Sequence, residues 1–212
     1  MDQYTVSFFG HRKISNVFVI ERRLEAMIQE LLISKEFVEF LVGRDGEFDQ
    51  LVASVVRRSK RTIRNDNSAL TLILPYSTAE YRNNEQSFLE YYDEIEICSE
   101  SAEKHFKSAH QIRNRFMVDR SDLVVFCVDH NSGGAYQTMM YAKKANASSI
   151  NLAEASQGLS YSISKKDDTA YLCWTCNPEV TYVLEYTPSK LSDTEIIKMA
   201  ESTSPIQEQD NP

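Results

Sequence analysis

Cysteine, histidine, positive charge and long apolar runs are all in short supply in this chain. No stretch approaches the roughly 20 consecutive apolar residues that cross a bilayer, so no membrane partner is expected. The start runs straight into Tyr4-Thr5-Val6-Ser7-Phe8-Phe9, with no basic region and no small-residue cleavage site. No signal peptide is expected there, and the protein is expected to be cytoplasmic. Lys and Arg number 23 against 31 Asp and Glu, a net charge of −8. That balance argues against a dedicated nucleic-acid binder, so nucleic acid is not expected as a partner.

The four cysteines are equally telling. Cys98 and Cys127 fall in apolar strand-like runs and read as small buried hydrophobes. Cys173-Trp174-Thr175-Cys176 is a lone CxxC, and His11, His105, His110 and His130 are all distant in sequence. A zinc site usually needs a second ligand pair, so no metal and no cofactor is expected.

What the chain does have is alternation. Tyr4–Phe9 is a β-type run, and Val17–Leu32 carries apolar residues at helical spacing. Phe37–Val42 is a second strand-like run, followed by a helix with Leu51, Val52, Val55 and Val56 on one face. Ala69–Leu74 is a third strand, and a short one fits within Tyr91–Cys98. A helix is expected over His105–Val118, with Phe106, Ala109, Ile112, Phe116 and Met117 on its inner face. Leu123–Val128 reads as the central strand, buried on both sides. Ala135–Ala145 is a further helix and Ser148–Leu152 a weak last strand. The fold class is α/β: a Rossmann-like three-layer fold with a mostly parallel sheet, plus a short C-terminal extension.

Two domains are expected, a ligand-binding domain over residues 1–152 and an extension over 153–212. In the extension, Tyr171–Cys173 and Tyr182–Tyr186 suggest a short β-hairpin and Asp193–Glu201 a helix. Ser202–Pro212 has the composition of a disordered tail.

Three polar, glycine-bearing turns follow three of the strands. They are Gly10-His11-Arg12, Gly43-Arg44-Asp45-Gly46-Glu47-Phe48-Asp49 and Ser132-Gly133-Gly134. In an open parallel sheet all three lie on the edge where ligands bind. Gly133 and Gly134 offer backbone N–H groups to a phosphate at a helix start. Arg12 can grip a phosphate bidentately, and His11 can donate or accept. Gly43 and Gly46 make room, and Asp45 or Asp49 can accept from a sugar hydroxyl. Arg113 and Arg115 sit about 200° apart around their helix, so only one of them can face such a ligand. The ligand-binding set is therefore Gly10, His11, Arg12, Gly43, Asp45, Gly46, Asp49, Arg113, Arg115, Ser132, Gly133 and Gly134.

These turns, together with Arg113-Asn114-Arg115-Phe116-Met117-Val118-Asp119-Arg120-Ser121-Asp122 and Tyr141-Ala142-Lys143-Lys144, resemble the SLOG superfamily. That Rossmann-like group includes the lonely-guy phosphoribohydrolases and the Smf/DprA proteins, and the likeness here is to its small bacterial members. It covers roughly residues 4–152. The resemblance implies binding of a nucleotide or nucleotide-derived small molecule, as a sensor or binding module. Lonely-guy enzymes place a catalytic glutamate just after their glycine-rich turn. Here those positions hold Met139 and Met140, which can neither protonate a leaving base nor stabilise an oxocarbenium ion. The chain is thus not expected to be an enzyme of that type.

Two alternatives stand beside this reading. A nucleoside-monophosphate N-glycoside hydrolase would take its carboxylate from Asp45, Glu47 or Asp49. A Smf/DprA-like single-stranded DNA binder would use the basic cluster at Arg57–Arg64. Exposed apolar residues on the helices would also permit a homodimer.

Overall fold

Strands rich in Val, Ile, Leu and Phe, each followed by an amphipathic helix, can bury both faces only in a parallel sheet. The computed structural model of the chain describes residues 2–102, 104–153, 162–166, 168–177 and 180–202. It contains such a sheet. In chain order the elements are β1 (Gln3–Gly10), α1 (Val17–Ser34), β2 (Phe37–Val42), α2 (Glu47–Thr62) and β3 (Ser68–Leu74). Next come α3 (Ala79–Asn83), α4 (Glu85–Tyr91), β4 (Glu94–Ile97), α5 (Ser99–Ala102) and α6 (Phe106–Asp119). β5 (Leu123–Cys127), α7 (Gly133–Lys144) and β6 (Ser149–Asn151) complete this part.

The sheet has six strands in the order β4-β3-β2-β1-β5-β6, with every pairing parallel. The chain first steps outward from β1 to β4, then returns to the other side of β1 with β5. The order therefore reverses between β1 and β5, and a crevice opens there at the carboxyl ends of the strands. Leu123–Cys127 is an interior strand, but β1 and β2 hold the centre. β1 has neighbours on both sides because it serves both directions of winding, which hydropathy alone cannot reveal.

Two buried clusters fill the layers on either side of the sheet. One gathers Leu24, Ile28 and Leu32 of α1 with Val52, Val55 and Val56 of α2 and Phe8, Phe40 and Val125 of the strands. The other joins Met117 and Val118 of α6 with Met139 and Ala142 of α7 and Phe9, Leu41 and Phe126. Alternate residues along each strand feed opposite faces, the period-two rule of an extended chain.

The chain divides into two compact units, Met1–Glu154 and Ala155–Pro212. The second unit holds a three-stranded antiparallel sheet, with β7 (Ser162–Lys166), β8 (Thr169–Asn177) and β9 (Val180–Tyr186) in that order, and α8 (Asp193–Ser202). Its strands extend the expected hairpin by β7, which is too polar to stand out in sequence. Ala170, Leu172, Tyr186 and Ile196 form its core. The tail beyond Ser202, expected to be disordered, lies outside the described residues. Among the described residues no helix is long and apolar enough to cross a membrane.

Candidate functional site at the sheet's carboxyl edge

The crevice between β1 and β5 is a cleft of about 670 Å³. Its walls include Gly10, His11, Arg12, Gly43, Asp45, Asp49, Arg113, Gly133 and Gly134. Gly46 lies behind the wall and Ser132 caps α7 beside it without a side-chain hydrogen bond. Arg115 sits outside, with its guanidinium 5.2 Å from the centre of the Tyr141 ring.

Close backbone packing brings the first two turns together. A methyl on Gly46 would stand 2.8 Å from the Arg12 Cα, and Glu47 donates its N–H to the Arg12 carbonyl at 2.9 Å. Only glycine allows that approach. α2 begins at Glu47, so Asp49 falls in its first turn and accepts from the Asp45 N–H at 2.8 Å. At the third turn Gly133 has φ +83°, the left-handed region that glycine enters without strain. Both Gly133 and Gly134 belong to the first turn of α7. They leave its free N–H groups uncovered by side chains of their own, a geometry suited to an anion.

Arg113 is the most heavily committed side chain in the cleft. Only 5% of it is exposed. Nη1 donates to the Ile73 carbonyl at 3.1 Å, and Nη2 donates to Asp45 Oδ2 at 3.2 Å. Its Nε, equally buried, has no partner among the described residues. An unpaired donor on a buried guanidinium is costly. Asn114 is similar in kind. Thr138 donates its hydroxyl to the Gly134 carbonyl, so the Thr138 oxygen must accept from the Asn114 amide. The Asn114 carbonyl oxygen is then left unpaired.

The two aspartates are driven apart in acidity. Asp45 is held below the ordinary carboxylate range by its hydrogen bond to His110, with Arg113 and Arg12 adding attraction. Asp49 keeps some surface exposure as a residue, but its carboxyl is packed under the turn. Burial pushes its pKa up to about 6, against the pull of Arg113 and the Asp45 N–H. One acid is thus fixed as an anion while its neighbour can carry a proton near neutrality.

His11 is 8% exposed and lies face to face with His130, with ring centres 3.5 Å apart. Burial lowers its pKa, as does His130, and Asp129 opposes them. Met139 is packed in the core and Met140 is exposed. Cys127 is buried, and its thiol is pushed up to about 12. Cys98 is buried as well.

Sequence reasoning missed His110, Asn114, Asp129 and His130. Ala109, Arg113 and Met117 recur every fourth residue, which would have put Arg113 on the buried face of α6. His110 and Asn114 are also four apart, one step round the helix from it. The basic cluster at the end of α2 is largely engaged elsewhere. Arg58 pairs with Glu21 and Glu25, Lys60 with Asp93, and Arg57 stacks on Tyr91.

No family model and no curated protein matches the chain. Among solved structures it is similar to DNA processing protein A from Helicobacter pylori, described by its single-stranded DNA binding mode. Identity is 18% and the TM-score 0.49, over 69% of this chain and 63% of that one. It is also similar to DNA processing protein A from Streptococcus pneumoniae, at 11% identity and TM-score 0.43, over 73% of this chain and 61% of that one. The chain thus spans less than two thirds of either. This finding corrects the expectation that nucleic acid is no partner: the similar structures belong to DNA-processing proteins. Net charge does not decide the matter, because a binding surface answers to its local field. Arg12, Lys13 and Arg113 gather at this cleft, whereas seven acidic residues concentrate in the stretch Asn83–Glu103.

Proposed function

We propose that the first unit is a SLOG-type domain that binds a nucleotide or nucleotide-derived ligand in this cleft. Arg113 carries the reading, because this buried guanidinium lines the cleft and its Nε–H has no partner among the described residues. In this reading Arg12 and the Gly133–Gly134 helix start share the phosphate charge. Asp45, ionised and facing the cleft, accepts from a ribose hydroxyl. The cleft volume of about 670 Å³ suits a single nucleotide.

The experiment is a thermal-shift and calorimetric screen of nucleoside phosphates and their cyclic and ribosyl derivatives, with a short DNA single strand in parallel. A saturable nucleotide ligand is expected, with binding about tenfold weaker or worse in Arg12→Ala. If nothing in the panel binds, or if Arg12→Ala binds as well as the parent, the reading is wrong.

A second reading takes the same cleft as the anchor point of a nucleic-acid single strand. Arg12 and Lys13 favour it, since both are exposed on the turn at the cleft wall. It predicts binding of the oligonucleotide but of no mononucleotide, with a steep loss of affinity on adding salt. The Asp49 carboxyl, protonatable near neutrality, favours a hydrolytic variant of the first reading. Release of free base, lost in Asp49→Asn, is its test.

A further inference from the structure

His11 leaves the end of β1, and Asp129 and His130 leave the end of β5, the two strands that flank the reversal of strand order. Among the described residues His11 Nε2 has no hydrogen-bond partner, and the residue is more than nine-tenths buried. It stands 3.6 Å from Asp129 Oδ1. That is too long for a hydrogen bond. It is close to the spacing of two ligands on one small ion, since bonds of about 2.0–2.1 Å at a tetrahedral angle put ligand atoms about 3.4 Å apart. His130 Nδ1 lies 2.6 Å from the same carboxylate oxygen. One atom from each of the three residues falls within 4.8 Å of the others.

We propose that His11, Asp129 and His130 bind a divalent transition-metal ion at the floor of the strand-reversal crevice. Two imidazoles and a carboxylate form a donor set that suits zinc, cobalt or nickel better than magnesium or calcium. Three protein ligands leave at least one position open for water or for an oxygen of a molecule in the cleft. The stacked rings are tilted by only 13°, so their in-plane lone pairs lie in nearly parallel planes, with ring centres 3.5 Å apart, and cannot meet at one point. Binding therefore turns His130 out of the stack and lengthens its contact with Asp129. Its side chain is 56% exposed and has the freedom to do so. In sequence the site is hidden because its two halves are separated by three βα units.

The test uses the full, untagged chain, stripped of metal by a chelator. Zn²⁺ is titrated calorimetrically, and Co²⁺ is followed by its visible absorption. About one ion per chain is expected, without the near-ultraviolet band of thiolate ligation. Asp129→Asn and His130→Ala should each weaken binding about tenfold or more. Both residues are substantially exposed, so their loss leaves folding intact. Cys173→Ser should bind as the parent does, separating this site from the CxxC segment. Absence of binding, unchanged affinity in either Asp129→Asn or His130→Ala, or loss of binding in Cys173→Ser would overturn the proposal. The metal alone is the probe, so the outcome is independent of whether a nucleotide binds.

Discussion

Toward the end of the sheet where the strands begin, Glu39 is only 4% exposed, yet its carboxylate is fully served. Gln3 donates to it at 2.8 Å and Arg120 at 2.7 Å, and the Thr5 and Thr71 hydroxyls lie at 3.4 Å. Asp122 and Asp93 do comparable work nearby, accepting from the backbone N–H groups of Thr5 and Leu70 at 2.7 Å. At the opposite edge, Arg113 is just as deeply buried but has an idle Nε, and Asp49 holds its proton to about pH 6. Unpaired atoms occur away from the cleft too, on Ser59, Ser68 and Asn67. Those belong to neutral groups, which are far cheaper to leave unmatched than a guanidinium. A buried charge with every valence filled holds a fold together. A buried charge with a valence left over is where the proposed ligand would bind.

The sharpest way to test that contrast is to damage the served end. Glu39→Ala strands part of the Arg120 charge and removes the acceptor shared by Thr5 and Thr71. We expect a loss of about 3 kcal/mol or more in urea unfolding, with nucleotide affinity of the folded protein unchanged. A variant that folded as stably as the parent would mean that the network is not structural.

The cleft end should respond in the opposite sense. Asp49 has a folded pKa raised above its unfolded value, so folding favours its protonated form. Its contribution is fully present below about pH 4 and is lost as pH rises through about 6. Above that, Arg113 stabilises the anion while Asp45 repels it, and burial dominates both. Asp49→Asn removes the penalty and keeps an acceptor for the Asp45 N–H. It should therefore stabilise the protein by about 1–2 kcal/mol at pH 7.5, after discounting for partial solvent access. The gain should fade toward pH 4, as measured by denaturant unfolding across pH. Equal stability at both pH values would show that the carboxyl is solvated after all.

Gly43→Ala probes the same edge through space. A methyl there would stand 2.7 Å from Arg113 Nη1 and 2.9 Å from Asp49 Oδ2. Both are held by hydrogen bonds, so relieving the clash should cost about 1–2 kcal/mol of stability. Displacing them should still weaken nucleotide binding about tenfold, or about 1.4 kcal/mol. Calorimetry that found binding unchanged would separate Arg113 from the ligand.

Much of this fold was legible because its signals are local. Leu123–Cys127 is a continuous apolar run, Phe37–Val42 is broken only by Glu39, and the α1 and α2 stripes repeat at helical spacing. Glycine misled at α7, which starts at Gly133 because a first turn needs no intrahelical N–H bond. The short helices α3, α4 and α5 escaped because so few residues cannot show a period. The convergence of Gly10, Gly43 and Gly133 on one edge follows from strand parallelism alone. Asp129, His130, His110 and Asn114 did not stand out, since their meeting depends on which strand lies beside β1 and how α6 is rotated.

The smallest expected effect concerns that rotation. Arg115 is two residues from Arg113 and was an equal candidate by sequence. The structure turns it across the helix, onto the half-buried ring of Tyr141, whose hydroxyl donates to Asp119 at 2.8 Å. An exposed cation–π contact is worth about 0.5 kcal/mol. Arg115→Ala should accordingly shift unfolding by no more than that and leave nucleotide affinity where it was. Arg12→Ala, measured alongside, should lower affinity with little change in stability. If Arg115→Ala weakened binding as much as Arg12→Ala, the ligand would have to reach around α6 onto the face it shares with α7. The division between a site edge and a structural remainder would then be drawn in the wrong place.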